Sequence, residues 1–515
     1  MAITSFKFLC FFALVLTVYY VVPLLFNKKG QWVVLLLASV AYYLLSGNGV
    51  LILYPLGASL VTWGLLWVLG KTREDQLIKR RIILGAEVFT LLGVLVVLKY
   101  LKLTADGGLL VPLGLSFYTF ILLGYFIEVY NGIGKTQKSF LKTALYGLYF
   151  PVMISGPIFQ TRNSGDQFFE YHPLDYKNIT FGLQRVLWGF FKELVISERL
   201  AVIVNTIYGN DTQYQGAYIW LGTVCFAFQL YTNFSGCMDI VIGLSETFGI
   251  ILPENFRTPF LSKNISEYWR RWHATLGIWM KDNVFYPLLR TPAIMSLGKT
   301  LKAKLGKKKG KQYTTYVAMF ILWLSVGLWH GGEMKYVIGS GLLHWFYIVF
   351  GEITLPFFTW LFAEKLHMNL KSRGADVFRV VRTFFLVCVG DLFFRSDNVP
   401  HALRMLRESV SVFNPWVLVN GSIFELGLDV IEWGILLVSL GILIAVSLIQ
   451  YRMEQCEVGN IEDSRYKGFK NIRELIASKG IVLRWVILIG LLFYCILLAE
   501  YGPGYSAAEF IYKDF

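Results

Sequence analysis

The residue best placed to move a proton is His330, in the stretch Ser325–Gly332, which reads SVGLWHGG. It closes an apolar run that begins at Tyr313. An imidazole in such surroundings must be solvated by protein or water. Its proton affinity lies near physiological pH, so a histidine held there can work as a general base. The glycines beside it let a ligand approach the backbone. A second cluster lies 57 residues upstream, where Glu267–His273 reads EYWRRWH. Trp269 and Trp272, flanking Arg270 and Arg271, fit the aromatic belt at a membrane interface. His273 is either a ring hydrogen-bonded at that interface or a group that orients substrate. His344 follows His330 by 14 residues, about 21 Å along an unbroken helix. Gly331–Lys335 reads as a turn that would fold the chain back. His172, His367 and His401 sit beside loops and carry no signal.

Polar residues in apolar surroundings are the next guide, because each costs several kcal/mol unless it is paired or functional. They concentrate between Tyr231 and Trp345. Asn233, Ser235 and Asp239 interrupt a membrane-grade run, and the small pair Ser235-Gly236 permits close backbone approach. That pattern predicts a re-entrant segment lining a cavity. With Trp269, Arg270, Arg271 and Trp329 they form the candidate lining of a substrate tunnel. Asp391 and Arg395, four apart, are expected to share a helix face and neutralise each other. Lys192-Glu193 and Glu198-Arg199 are expected to pair with other helices or mark a helix end. The six cysteines are scattered without a C-x-x-C pair; they read as small buried side chains, and no metal site is expected.

The elements that must hold these groups are membrane helices. Of the 515 residues, 56% are apolar and 16% charged, against about 25% charged in soluble domains. A spanning helix takes about 20 mostly apolar residues, because lipid offers the backbone no partner. Such runs lie near 6–26, 32–45, 50–69, 82–98, 109–130, 144–158, 181–207, 218–234, 313–329, 337–362, 377–394, 430–449 and 481–498. Ten to thirteen spans with re-entrant pieces are expected. The first run is too long for a secretory signal and lacks a small-residue cleavage site, so it reads as a retained helix. Basic residues collect at Lys28-Lys29, Lys71–Arg81, Lys135–Lys142 and Lys299–Lys311, the last with seven lysines in 13 residues. These are expected to be cytoplasmic loops, which puts the N-terminus outside. The basic stretch Arg452–Arg484 then sends the final helix outward and leaves 501–515 on the outer face. The net charge of +14 is confined to helix flanks, which argues against nucleic acid. No phosphate-binding glycine loop or 20–50-residue repeat is present.

Several pieces together resemble the membrane-bound O-acyltransferase (MBOAT) family, in its bacterial branch with the alginate O-acetylation and teichoic acid D-alanylation proteins. They are SGPIFQTR at 155–162, YTNFSGCMDIVIGL at 231–244, PENFRTPF at 253–260, SEYWRRWHATLGIWMKDNVFYPL at 266–288, GLWHG at 327–331, DLFFR at 391–395 and the terminal FIYKDF. The resemblance implies an all-α polytopic membrane protein, a ring of helices around a central tunnel in a multi-pass bacterial cell-membrane protein. It implies one membrane domain: helices to about 110, a core over 110–400, C-terminal helices over 401–500 with a cytoplasmic polar segment at 452–480, and an extracytoplasmic tail at 501–515. The family's essential histidine falls on His330 and its second histidine on His273. Tyr512 matches a tyrosine implicated as a temporary acyl carrier, with an interfacial anchor as the alternative.

Acyl transfer from a thioester to a hydroxyl needs a base and a stabilised oxyanion. The family reading gives His330 the first task. It gives the second to His273 or to backbone N–H groups near Gly331 and Gly332. The implied donor is acetyl-CoA from the cytoplasm, acting as substrate with no tightly bound cofactor. The implied partners are the lipid bilayer and a separate extracytoplasmic esterase-like transferase, since this chain has no G-x-S-x-G elbow. D-alanyl transfer from an acyl carrier protein, docked on the lysine cluster, is the alternative in the same chemistry. A transporter or flippase is the alternative of another class. Transporters repeat their broken helices in both halves, whereas the polar anomalies here lie in one central region.

Overall fold

Long apolar runs leave the backbone no partner in lipid but its own carbonyls, and these runs are helices. The computed structural model describes the chain apart from residues 27, 29, 48, 100–110, 460–462 and 501–515. Among the described residues there is no strand. Six helical stretches are long and apolar enough to cross a membrane: Phe6–Leu25, Gly49–Lys71, Leu77–Lys99, Met334–Lys365, Val430–Glu457 and Ile481–Leu498. In the last, only 6% of the apolar window is buried against the rest of the protein. An apolar surface so uncovered needs lipid around it. The molecule is a multi-pass membrane protein. Gln31–Ser46 and Leu115–Tyr130 are apolar but shorter, and Arg373–Arg395 carries charges along its length.

The chain divides into two units. One comprises residues 1–190 and 236–254. Ser5 starts its first helix by accepting a hydrogen bond from the Phe8 N–H, which satisfies one of the orphan donors of a first turn. Buried polar groups find partners here: Thr62 Oγ1 donates to Glu87 at 2.6 Å, and Tyr19 donates to the Phe248 carbonyl at 3.0 Å. The run at 144–158, expected to span, does not. Its helix, Phe140–Leu148, ends at a short turn over Phe150–Val152, and non-helical chain follows. Pro151 and Pro157 cannot donate to a continuing helix. The run is apolar because it is buried inside protein.

The other unit comprises the described residues of 191–235 and 255–500. It begins with a π-helical segment, Phe191–Ser197, whose wider turn brings Lys192 and Glu193 into the interior. The expected lysine loop is helical instead. Within Pro292–Trp329 the backbone breaks only at Gly306, at φ 80° and ψ 164°, a conformation glycine adopts readily. Lys302 abuts Gly310, and Gly298 faces Thr314. Both pairs are centred on residue 306, so the segment is a helical hairpin with its seven lysines exposed. Charge repulsion favours keeping them in solvent, and lysine is a good helix former, which is why a loop was not needed.

Candidate active site

His273 sits at a break between two short helices, Ile265–Arg271 and Ala274–Met280. The segment Asn255–Arg257 makes that break. Its Arg257 N–H donates to the Arg271 carbonyl at 2.9 Å, and its Asn255 carbonyl accepts from the Ala274 N–H at 3.0 Å. Held on both sides, His273 takes φ 45° and ψ 48°, left-handed values that cost a non-glycine residue about 1 kcal/mol or more. Its ring is buried, perpendicular to Phe234 at 4.9 Å between centroids. Nδ1 lies 3.0 Å from Asn255 Oδ1, while Nε2 has no hydrogen-bond partner among the described residues.

His330 caps the helix that ends at Trp329, its N–H bonded to the Val326 carbonyl at 3.2 Å. Gly331 and Gly332 follow at φ 147° and 75°, and this is where the helix stops. The Gly331 N–H is taken by the Leu328 carbonyl, whereas among the described residues no backbone carbonyl engages the Gly332 N–H. The His330 ring is buried against Phe394 at 5.8 Å and Trp329 at 4.8 Å. The same Trp329 indole lies 6.0 Å from the His273 ring. Two histidines separated in sequence therefore pack near one indole. Both imidazoles are buried among aromatic rings, surroundings that strengthen any hydrogen bond they make.

Comparison with known proteins bears on what this arrangement is for. Residues 134–372 match the model of the membrane-bound O-acyltransferase family. That segment holds both histidines. The matched segment is a little under half of the chain. The chain is 33% identical over 311 residues to the probable alginate O-acetylase of Pseudomonas syringae pv. tomato, covering 60% of this chain and 53% of that protein. It is 27% identical over 334 residues to the peptidoglycan O-acetyltransferase of Helicobacter pylori, covering 59% and 58%. It is 27% identical over 304 residues to the teichoic acid D-alanyltransferase of Bacillus subtilis, covering 56% and 70%. The match thus spans about half the length of the alginate O-acetylase it resembles.

Within and around the matched segment the other sequence candidates separate. Trp269 lies 4.9 Å from Trp323 and 5.0 Å from His344, and His344 stacks on Trp323 at 5.8 Å. The chain does fold back after Gly332, as Trp345 Nε1 donating to the Tyr316 carbonyl at 3.0 Å attests. Arg270 is exposed. Arg271 is bound at 2.9 Å to Glu267 and 2.7 Å to Glu454, and it also bonds the Arg257 carbonyl. Its charge is committed to holding this corner together.

The expected re-entrant stretch is instead the uninterrupted helix Ala217–Thr247, and its polar residues are satisfied by neighbours. Asn233 donates to Glu193 at 2.7 Å, and Ser235 accepts from Lys192 at 2.8 Å. Asp239 belongs to the first unit, where Arg185 binds it at 2.9 Å and holds Glu254 in a bidentate pair. The expected Asp391–Arg395 pair does not form. Arg395 bonds Asn205 at 3.0 Å and lies over the Tyr208 ring. Cys225, Cys237, Cys388 and Cys495 are buried as expected, whereas Cys10 is exposed. Tyr512 lies outside the described residues. Sequence reading did not single out Asn255, Phe234 or Phe394. Asn255 stood inside the quoted PENFRTPF motif, but nothing in its spacing marked it.

Proposed function

We propose that this protein is a membrane O-acyltransferase that moves an acetyl group from acetyl-CoA toward O-acetylation of a cell-surface or secreted polysaccharide. The observation that carries the reading is the packing of both His273 and His330 near the Trp329 ring, within the segment that matches the MBOAT model. His330 takes the acceptor hydroxyl's proton, the hydroxyl oxygen attacks the thioester carbonyl, and the thiolate of CoA leaves. The oxyanion formed on the way is stabilised by an N–H, either at Gly332 or on the His273 ring. The names of the alginate and peptidoglycan relatives support acetyl as the group and a surface polymer as its destination. Tyr512 is the proposed first acceptor, and an extracytoplasmic esterase-like transferase the proposed next one.

The test is His330→Ala. Polymer O-acetylation should be lost while the chain still inserts in the membrane, and retained acetylation would remove the reading. In the same preparation, mass spectrometry of the C-terminal peptide after incubation with labelled acetyl-CoA reports whether Tyr512 is acylated.

One observation favours a second reading. The exposed lysine hairpin around Gly306 suits an acidic acyl carrier protein, as D-alanyl transfer to teichoic acid would require. The mass added to the polymer, acetyl or D-alanyl, separates the two.

A further inference from the structure

Asn255 is fully buried, and its side-chain oxygen is approached by three groups. These are the Thr275 N–H at 3.2 Å, the Thr275 hydroxyl at 2.8 Å and His273 Nδ1 at 3.0 Å. A backbone N–H can only donate, so the Asn255 atom facing it must be the amide oxygen; the opposite orientation would set the NH2 group against another donor. An oxygen that accepts from Thr275 can only accept from His273 as well. His273 Nδ1 therefore carries the proton. A second proton on Nε2 would leave an unpaired cation among the Phe234 and Trp329 rings, at a cost of several kcal/mol. The ring is therefore neutral, and Nε2 is a bare lone pair, buried and without a partner among the described residues.

We infer that Asn255 is a positioning residue that locks His273 into the Nδ1–H tautomer, so that its Nε2 serves the acyl-transfer site as an acceptor and never as a donor. This rests on the acyl-transfer reading and sharpens it. An imidazole nitrogen without hydrogen cannot stabilise an oxyanion, and that task falls to the Gly332 N–H. His273 instead receives a hydrogen bond from a donor that the substrates bring, such as an amide N–H of the CoA arm. The left-handed backbone at His273 belongs to the same device. Asn255 fixes the residue through its main-chain carbonyl to Ala274 and through its side chain to the ring.

The decisive variant is Asn255→Asp. A carboxylate only accepts, so it keeps all three hydrogen bonds and the tautomer, and catalysis should survive. If the amide N–H donated to a bare Nδ1 instead, a carboxylate would face a lone pair and catalysis would collapse. Asn255→Leu removes the acceptor at similar size. The full chain in phospholipid vesicles would be assayed for CoA thiol release from acetyl-CoA, with thermal unfolding measured on each variant. Asn255→Asp should keep most of the parent kcat. Asn255→Leu should raise KM for acetyl-CoA about 10-fold, the worth of one hydrogen bond to the CoA arm, with a smaller loss in kcat. A folded Asn255→Asp protein as impaired as Asn255→Leu would overturn the inference, as would a fully active Asn255→Leu protein. Should Asn255→Leu fail to fold, the Asn255→Asp result decides alone. His330→Ala, run alongside, separates the two levels: if it retains turnover the acyl-transfer reading fails, and if it is inactive only the Asn255 assignment is on trial.

Discussion

Replacing Arg185 by Met tests whether the polar residues of the first unit build structure or perform chemistry. Arg185 is buried, with Asp239 at 2.9 Å and Glu254 held through both guanidinium nitrogens at 2.5–2.6 Å. Removing one partner of a buried ion pair typically costs 3–5 kcal/mol, because the remaining charge is left unpaired. Asp239 is that charge, since its side chain is only 17% exposed, whereas Glu254 at 39% is partly hydrated. The lower end, about 3 kcal/mol, is therefore expected. Neutralising the carboxylates as well, in Arg185→Met/Asp239→Asn/Glu254→Gln, should recover all but about 1 kcal/mol, since no buried charge then remains. Thermal unfolding of the purified chain in one detergent measures the series, and the proposed acetyl transfer per folded molecule measures function. The reasoning gives large changes in the first quantity and small ones in the second. An Asp239→Asn protein that melts like the parent but transfers no acetyl would refute it and return Asp239 to the chemistry.

Two further perturbations follow from the same logic. Arg271→Met should destabilise the chain by a similar amount, because Glu267 and Glu454 both lose their counter-charge, and Glu454→Gln added to it should restore part of the loss in the same melt. Gly306→Ala should loosen the lysine hairpin by about 1–2 kcal/mol, as φ 80° with ψ 164° is strained for any residue with a Cβ; faster tryptic cleavage confined to 299–311 would show it, and an unchanged digestion rate would count against the hairpin.

Much of the helical layout is legible from composition alone. The run at 481–498 is the helix Ile481–Leu498, and the run at 377–394 lies within Arg373–Arg395. Hydropathy works there because lipid punishes any other backbone arrangement. It fails at 144–158 because burial in protein and burial in lipid select the same residue types. It fails at Lys299–Lys311 for the opposite reason: exposed lysines read as a loop, although nothing prevents them from decorating two helices.

Polar residues were found correctly and explained wrongly in several cases, and the reason lies in range. Asn233 and Ser235 interrupt an apolar run just as a re-entrant segment would, but their partners Glu193 and Lys192 lie about 40 residues away. Asp391 and Arg395 have the spacing of a helical pair, yet Arg395 turns to Asn205, 190 residues distant. Spacing along one helix shows which groups can meet, and tertiary contacts decide which do.

His273 and His330 show how far local signals reach. His330 is marked in the sequence by its glycine neighbours and His273 by the tryptophans and arginines before it, and the structure sets both near Trp329. What each ring does cannot be read from such neighbours, because a histidine's role depends on which nitrogen holds the proton, and that is set by whatever faces the other one. For His273 the facing group is Asn255, 18 residues upstream on the far side of a chain reversal. An asparagine in such a segment looks like any turn residue. Only the backbone N–H of Thr275, which admits no ambiguity of donor and acceptor, fixes the orientation of the amide and through it the chemistry of the ring.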